Sequence, residues 1–368
     1  MKVLHVCQQD DAAGGGAVRV AVELAKRQTA HQVTAKCVFV YGGPGALGKE
    51  LSGNALYLQN GNRHERMLAA WRFYRLLKAE KPDIIHHHDG VTWTHLVSRA
   101  ALVGKCVGHG HLTAPAPHAR WRHRLAGFVH ANTYHHLFCV SESVAQSWIH
   151  RGYPKNKIDV IPNGVDTQRF TPASMGQKRD ARHRFEIPED ATVFAFVGRL
   201  HNEVKRVDDF VRTVAAMSEN VWGLVAGTGT DELSLRQLAT ELHASHRIRF
   251  VGLQDPPTPC YHASDVFLMT SCYEPFGLVV LEAAACGLPV AGFASDGGVN
   301  GLMEFIQAPI LMKREPAKLG ELALSLLDKP ASKFAEVRES VCDHFSWDRV
   351  VGKLVHKYSE ILTGHPSC

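Results

Sequence analysis

The chain has 368 residues, of which 45% are hydrophobic and 21% are charged. A chain of this length usually forms more than one domain, and this composition excludes a largely disordered protein. No apolar run approaches the roughly 18 residues that cross a bilayer, and Asp10 and Asp11 follow the first strand-like segment, so neither a membrane span nor a secretory signal is expected.

The net charge of +5 is unevenly distributed, because the first 168 residues carry 20 Lys and Arg against 11 Asp and Glu. This asymmetry indicates either an anionic acceptor or membrane surface on that half, or simply a solvated basic surface. The nine cysteines are scattered without a CxxC pair, which favours a reducing, cytoplasmic compartment.

Residues 2–7 (KVLHVC) predict a first strand, and a glycine run at 14–16 then opens a predicted helix over residues 17–27. Glycines at such a junction let the backbone approach a ligand closely and present amide groups to phosphate. The run lacks GxGxxG spacing and an acidic residue about 20 positions later, so a dinucleotide site is disfavoured. Further strands are predicted at 33–41, 83–87, 105–108, 137–140 and 158–162, and a helix at 63–81.

The 23 histidines include a run at residues 86–88, followed by His109 and His111. Neutral imidazole is a common zinc ligand. However, neighbouring histidines on a strand point to opposite faces, and no HExxH spacing is present, so a metal site is disfavoured.

Residues 115–124 (PAPHARWRHR) interleave cations with one tryptophan. Such a segment can serve nucleic acid, but no RNA-binding motif accompanies it. Contact with an acceptor or a lipid surface is therefore favoured, and nucleic acid is not expected as a partner.

In the second half, a strand predicted at 192–197 ends in Gly198, Arg199 and Leu200, and Lys205 follows in the next loop. Two cations at the carboxyl end of a strand would neutralise a diphosphate and stabilise it as a leaving group. The alternative is a pair of exposed loop cations.

The most informative segment is residues 270–293 (TSCYEPFGLVVLEAAACGLPVAGF), which predicts a loop, a helix and a strand after the strand at 263–269. In a parallel sheet this loop lies beyond the carboxyl ends of the strands, where ligands bind. Gly277 and Leu278 begin the helix, and their amide groups would donate hydrogen bonds to an anion. Glu274 and Glu282 could each accept hydrogen bonds from a sugar diol. The alternative is that Glu274 is a solvated charge in the loop and Glu282 a helix residue whose hydrogen bonds are made within the protein.

The segment EPFGLVVLE resembles the E-x7-E signature of retaining GT-B glycosyltransferases of family 4. The resemblance covers nearly the whole chain and is strongest over residues 158–300. It implies an α/β fold of the GT-B type, with two Rossmann-like domains whose parallel sheets face each other across a cleft. The expected boundaries are 1–168 for an acceptor domain, 169–345 for a nucleotide-sugar donor domain and 346–368 for a helix that returns to the first domain.

The resemblance also implies roles for individual residues. Glu282 would hold the donor ribose and Glu274 would lie against the transferred sugar, while Phe276, Gly277 and Leu278 surround the donor sugar and its phosphates.

Further roles are implied on both sides of the donor. Arg199, in the segment that begins at Gly198, and Lys205 match the family's cation pair, although Lys205 follows the glycine by seven positions rather than about six. Gly15 and Gly16 would contact the donor diphosphate, and the backbone around Gln254 would read the base. His111 is the better match to the family's acceptor-side histidine and His109 the second, with a structural histidine as the alternative.

The resemblance implies a retaining, metal-independent glycosyltransferase that moves a sugar from a nucleotide-diphosphate sugar, with UDP-sugar favoured, to a hydroxyl of a glycan or glycolipid acceptor. The expected setting is bacterial cell-surface glycan synthesis, in the lipopolysaccharide or polysaccharide class. No cofactor is expected, since no D-x-D triplet is present to carry a metal-bridged diphosphate. The expected location is the cytoplasm, with a peripheral contact at the inner face of the membrane.

Three alternatives remain. A GT-B epimerase or phosphorylase would share the fold, although no lysine poised for pyridoxal phosphate is identified. A non-catalytic sugar-nucleotide binder would keep Glu282 and lose Arg199 and Lys205, which are both present. A nicotinamide oxidoreductase would need the missing glycine fingerprint.

Overall fold

The computed structural model describes residues 1–11, 16–60, 65–88, 92–114 and 133–364. Its chain divides into two compact units, one of Met1–Gly164 with the segment that begins at Trp347, and one of Val165–Ser346. Each unit is a parallel sheet with packed helices, which confirms the predicted α/β class and the pair of Rossmann-like domains.

Within the described residues, the first unit has a seven-stranded sheet in the order β3-β2-β1-β4-β5-β6-β7, in which every pairing is parallel. Its strands are β1 Lys2–Gln9, β2 Thr34–Tyr41, β3 Ala55–Asn60, β4 Ile84–His87, β5 Lys105–Gly110, β6 His136–Cys139 and β7 Ile158–Val160. Its helices before residue 164 are α1 Gly16–Gln28, α2 Ala46–Lys49, α3 Glu65–Glu80, α4 Thr92–Ala101 and α5 Glu142–Ile149.

The second unit has a six-stranded sheet among its described residues, in the order β10-β9-β8-β11-β12-β13 and again with parallel pairings. Its strands are β8 Thr192–Val197, β9 Val221–Ala226, β10 Ile248–Phe250, β11 Val266–Met269, β12 Val290–Phe293 and β13 Ile310–Leu311. Its helices are α6 Met175–Arg184, α7 Asn202–Lys205, α8 Val207–Ala215, α9 Glu232–Glu241, α10 Thr258–Ala263, α11 Leu278–Ala285, α12 Val299–Phe305, α13 Pro316–Ser325 and α14 Ala331–Phe345.

The central strands are apolar because helices cover both faces of a parallel sheet. In β1, Val3, Leu4 and Val6 are each 2% exposed, and β11 is buried along its whole length. In each sheet the strand order reverses beside the first strand, between β1 and β4 and between β8 and β11. Ligands of open α/β sheets bind beyond the carboxyl ends of strands at such a reversal.

Helix α15, Trp347–Thr363, packs within the first unit. The Nζ atom of Lys353 donates a hydrogen bond to the Val160 carbonyl at 3.0 Å, and the Tyr358 side chain is fully buried. None of the helices that the described residues form is both long enough and apolar enough to cross a bilayer.

The strand predicted at 263–269 is shorter than expected and begins at Val266. The preceding residues form α10, which buries Cys260 and Tyr261. Asp265 is then held by Lys178 and Arg182 and accepts a hydrogen bond from the Val193 amide. These contacts hold Asp265 through its side chain, and the strand begins only at the next residue.

Candidate functional site

The loop before α11 is shaped by a glycine that no other residue can replace without strain. Gly277 has a φ of 96°, and a Cβ atom there would lie 2.5 Å from the Cγ2 atom of Val299. The turn buries Phe276, 6% exposed, against Phe345 and starts α11 at Leu278. The first amide groups of a helix have no partner inside it and carry the positive end of its dipole, so this turn presents an anion-binding end.

Glu274 lies in the same loop, and its backbone is held by the segment before α12. Its amide donates to the Asp296 carbonyl at 2.8 Å, and its carbonyl accepts from the amides of Gly298 and Val299 at 3.0 and 3.2 Å. The loops after β11 and β12 are therefore tied together, and the position of the Glu274 backbone is fixed.

Lys205 is the partner of Glu274, with 2.5 Å between its Nζ atom and the Glu274 Oε2 atom. The end of α7 is held against the end of β11, because the Thr270 hydroxyl donates to the Lys205 carbonyl at 3.0 Å and the Cys272 amide donates to the Val204 carbonyl at 2.9 Å. The side chains of Lys205 and Glu274 are 20% and 15% exposed. The structure thus brings together two predicted site residues that are 69 positions apart.

The neighbouring cations differ in their partners. Arg206 forms ion pairs with Asp208 and Asp209, so its charge is neutralised within its own segment. Arg199 is exposed, and its side chain makes no hydrogen bond or ion pair with any of the described residues. Arg199 is therefore a cation available to an anionic ligand at the end of β8.

The ends of β8 and β9 approach each other closely at Gly198. The Gly198 amide donates to the Ala226 carbonyl at 2.9 Å, and a Cβ atom on Gly227 would lie 1.8 Å from the Gly198 carbonyl oxygen. Glycine at residue 227 is therefore required for this approach.

Glu282, on α11, is oriented by a buried tyrosine. The Tyr261 hydroxyl donates to its Oε2 atom at 2.7 Å, and Tyr261 is 1% exposed on α10. Burial and the nearby Glu282 charge raise the pKa of Tyr261 well above its usual value, so the hydroxyl keeps its proton and remains a donor. This fixes one carboxylate oxygen of Glu282.

Gln254 follows β10 and has both ends of its side chain bound. Its Oε1 atom accepts from Arg184 and its Nε2 atom donates to the Val251 carbonyl, each at 2.8 Å. A cavity of about 340 Å³ lies beside it, lined by Arg184, Phe185, Glu186, Arg249, Phe250, Val251 and Gln254.

In the first unit, Gly16 is exposed and begins α1, while Gly15 lies outside the described residues. His111 follows β5 and is half-buried, and its Nε2 atom lies 3.2 Å from the Nδ1 atom of His88. His109 is buried one position before the end of β5, and its ring stacks on that of His111. The basic segment at 115–124 also lies outside the described residues.

Four other histidines come together with His111. This histidine cluster consists of His5, His86, His88, His109 and His111. Ring nitrogens of His5, His86 and His88, and of His88, His109 and His111, lie within 4.8 Å of one another. Burial lowers the pKa of His5 to about 4 and that of His111 to about 3, and it lowers the pKa values of the other three well below 6.5. The cluster is therefore neutral near pH 7.

The alternation expected for the run at 86–88 is present. His87 turns to the opposite face, where its Nε2 atom lies 3.1 Å from the Ser98 hydroxyl. Sequence reasoning missed His5, which sits beside His86 only because β1 and β4 are neighbours in that register. It also missed Tyr261, and no motif in the sequence marks that residue.

Two family models match the chain. The model of Glycosyltransferase Family 4 matches residues 14–169, and the model of Glycosyl transferases group 1 matches residues 177–334. The D-inositol 3-phosphate glycosyltransferase of Salinispora arenicola (strain CNS-205) is 33% identical over 229 residues, which are 57% of this chain and 51% of that protein. The chain spans about half the length of the curated relatives it matches.

Solved structures share the fold. Anabaena Alr3699/HepE in complex with UDP and glucose has a TM-score of 0.84 and 19% identity, covering 98% of this chain and 99% of that one. The lipopolysaccharide outer core galactosyltransferase WaaB, in its apo form, has a TM-score of 0.72 and 16% identity, covering 99% of both chains. Because the two family models together match most of the sequence, the chain belongs to the group 1 glycosyltransferases of family 4, as its E-x7-E segment predicted.

Proposed function

We propose that this protein transfers a glycosyl unit from a nucleotide-diphosphate sugar to a hydroxyl group of a glycan or glycolipid acceptor, with retention of the anomeric configuration and without a metal ion or other cofactor. The observation that carries this proposal is the pairing of Lys205 with Glu274 at the loop that opens α11. It places a cation, a carboxylate and a helix N-terminus at the carboxyl end of one central strand.

The donor diphosphate would bind where positive charge is concentrated. Arg199, Lys205 and the first amides of α11 would neutralise it in the ground state and take up the charge that develops as the bond to the anomeric carbon breaks. Gly198 and the Gly15–Gly16 pair would leave room for the backbone to approach the phosphates. Glu282, oriented by Tyr261, would accept hydrogen bonds from the ribose hydroxyls.

Glu274 would lie against the hydroxyls of the transferred sugar, with Phe276, Gly277 and Leu278 around it. In the reaction the bond between the anomeric carbon and the diphosphate oxygen breaks, and the acceptor oxygen bonds to the same face. The acceptor proton passes to the leaving phosphate oxygen. His111 would bind a sugar or acceptor hydroxyl, and the backbone at Gln254 would contact the base.

UDP-sugar is the favoured donor. A protein of similar fold, Anabaena Alr3699/HepE, was solved with UDP and glucose, and this supports the choice. A role in cell-surface glycan synthesis is supported by the likeness to the lipopolysaccharide galactosyltransferase WaaB. The D-inositol 3-phosphate glycosyltransferases point to a second acceptor class, a phosphorylated polyol.

We also propose a cytoplasmic location with contact at the inner face of the membrane, through one face of α3. Met67, Trp71 and Tyr74 are exposed along this helix, although Ala69, Phe73 and Leu77 on its other side are buried. Arg75 lies over the Trp71 ring at 4.8 Å and Lys78 over the Tyr74 ring at 5.7 Å. Aromatic rings flanked by cations suit the interface of an anionic bilayer.

The decisive experiment measures nucleotide diphosphate release from UDP-, GDP- and ADP-sugars with glycan, glycolipid and inositol phosphate acceptors. We expect release from one donor class, unchanged by EDTA, and NMR of the product should show the anomeric configuration of the donor. Arg199→Ala and Lys205→Met should lower kcat/KM at least 100-fold, in the range for loss of a transition-state charge contact.

Arg212→Ala is the matched control, because Arg212 is exposed on α8 and lies outside the proposed site. Binding of UDP with no turnover of any donor would favour the non-catalytic binder. Equal turnover by the parent, Arg199→Ala and Lys205→Met proteins would refute the proposed site.

A further inference from the structure

A chain of hydrogen bonds runs from a buried glutamine to His111. The Gln28 Oε1 atom lies 2.9 Å from the Nε2 atom of His5. The Nδ1 atom of His5 lies 2.8 Å from the Nε2 atom of His88, whose Nδ1 atom lies 3.2 Å from the Nε2 atom of His111. Gln28 and His5 are fully buried and His88 is 2% exposed, so water does not compete for the bonds between these three residues.

The direction of this chain follows from its first member. A carbonyl oxygen only accepts, so the proton of His5 must be on Nε2. A neutral imidazole has one N–H group, and the Nδ1 atom of His5 is then an acceptor for the Nε2–H group of His88. By the same step, the Nδ1 atom of His88 accepts from the Nε2–H group of His111. The Nδ1 atom of His111 is left as the unprotonated nitrogen.

A second chain holds the rings in place. The Tyr358 hydroxyl lies 2.5 Å from the Nδ1 atom of His86, and the Nε2 atom of His86 lies 3.2 Å from the Nδ1 atom of His109. The His109 and His111 rings stack with centroids 4.5 Å apart and planes 10° apart. This stacking sets the plane of the His111 ring, and the first chain sets its protonation.

We infer that Gln28, His5 and His88 are positioning residues that hold His111 as the Nε2–H tautomer and present its Nδ1 atom as a hydrogen-bond acceptor. His111 would then recognise the O–H group of a ligand hydroxyl and would not donate to an oxygen lone pair. The catalytic consequence rests on the proposed function, whereas the tautomer itself does not.

The same nitrogens are close enough to suggest a transition metal, but the hydrogen-bonding pattern argues for protons. The three N···O and N···N separations of 2.8, 2.9 and 3.2 Å fit hydrogen bonds whose donors and acceptors match in sequence. A divalent cation would have to replace them in a buried group of neutral rings that includes no carboxylate, which carries a large desolvation cost. Metal binding is therefore an outcome of the test below.

The test is a long-range 1H–15N NMR spectrum of the full chain labelled with 15N in the histidine rings. The His111 signals are assigned by their loss in the His111→Gln variant. We expect one protonated Nε2 and one unprotonated Nδ1 in the parent protein. Gln28→Met removes the acceptor at similar volume, and the His111 signals should then shift toward a mixture of tautomers.

Gln146→Met is the matched control, since Gln146 lies on α5, where its side chain donates to Glu142, and this change should leave the His111 signals unchanged. A protonated Nδ1 on His111 in the parent, or a single unchanged tautomer in Gln28→Met, would overturn the inference. Stoichiometric zinc in the purified protein, or Co²⁺ that displaces the N–H protons of the cluster, would overturn it as well. The parent spectrum decides the question even where Gln28→Met does not fold.

A kinetic measurement tests the chain of hydrogen bonds from Gln28 to His111, here called the relay, separately from the proposed reaction. Loss of one hydrogen bond corresponds to roughly a 5- to 10-fold fall in kcat/KM for Gln28→Met. In a His111→Gln background the same change should have no further effect, because the relay acts through His111. If the NMR result holds but His111→Gln turns over at the parent rate, the relay is supported and only the proposed role of His111 fails.

Discussion

The Nζ atom of Lys205 lies 2.5 Å from the Oε2 atom of Glu274, and both side chains are largely shielded from water. Any phosphate that binds Lys205 must therefore compete with a carboxylate already in place. The pair links the end of α7 to the loop after β11, so a change in either residue alters the charge that the donor meets.

Glu274→Gln should separate binding from transfer. Removal of the carboxylate charge releases Lys205, so UDP should bind about 5-fold more tightly, which is on the order of 1 kcal/mol. Glycosyl transfer should slow, because the carboxylate no longer contacts the transferred sugar. Calorimetry with UDP and steady-state kinetics measure the two effects, with Glu304→Gln on the exposed face of α12 as control. Weaker UDP binding in Glu274→Gln would contradict this account.

Tyr261→Phe should raise the KM for the donor about 5- to 10-fold, since Glu282 loses the hydrogen bond that orients it. The effect on kcat should be smaller, because the ribose is remote from the bond that breaks. Tyr153→Phe is a matched control: Tyr153 is also buried, and its hydroxyl has no hydrogen-bond partner among the described residues. A parent-like KM in Tyr261→Phe would show that Glu282 does not depend on this bond.

Local sequence patterns were sufficient to predict the strand, turn and helix at the centre of the second unit, and the order in which they follow one another. The apolar run before Thr270, the glycine at 277 and the Leu- and Ala-rich stretch after it each predict one element, and β11, the turn and α11 follow in that order. Short-range chemistry decides such features, because glycine conformation and helix starts depend on adjacent residues.

Contacts between segments that are distant along the chain could not be predicted from spacing or local pattern. Spacing along the chain does not reveal that Lys205, and not Arg206, faces Glu274, since this choice depends on Asp208 and Asp209 neutralising Arg206. His5 gives no local signal either, and it joins the histidine cluster through the parallel register of β1 with β4. Strand order is set by packing of whole elements, and a single sequence does not encode it in any local motif.

Stability should fall as the pH is lowered from 7 to 4. The unfolded chain protonates its histidines near pH 6.5, while the folded chain keeps His5 neutral down to about pH 4 and His111 neutral down to about pH 3. Over this window the unfolded state binds more protons, so the free energy of unfolding decreases by about 1.4 kcal/mol per pH unit for each such histidine. Above pH 7 the contribution is complete and constant.

Urea unfolding at a series of pH values measures this dependence. His5→Gln should reduce its slope by the share of one histidine, even though the variant is less stable overall. His150→Gln, which changes an exposed histidine at the end of α5, is the matched control for the loss of one imidazole. An unchanged slope in His5→Gln would mean that His5 binds protons equally in the folded and unfolded states, which contradicts this prediction.

The exposed face of α3 should bind anionic vesicles. Trp71 and Tyr74 can insert at the level of the lipid headgroups, and Arg75 and Lys78 beside them are attracted to negative lipids, with each cation contributing about 1 kcal/mol near the surface. Sedimentation with phosphatidylglycerol vesicles should capture the parent protein, and Trp71→Gln combined with Arg75→Gln should reduce the bound fraction at least 10-fold.

Neutral phosphatidylcholine vesicles should bind less protein than the anionic vesicles. Salt at 0.5 M should also weaken binding, because it screens charges beyond roughly a few ångströms. Leu233→Gln is the control, because Leu233 is an exposed apolar side chain on α9 and its replacement should not affect vesicle binding. Binding that survives the double substitution would place the membrane contact on another surface, and binding to neither vesicle would remove the peripheral contact from the proposed function.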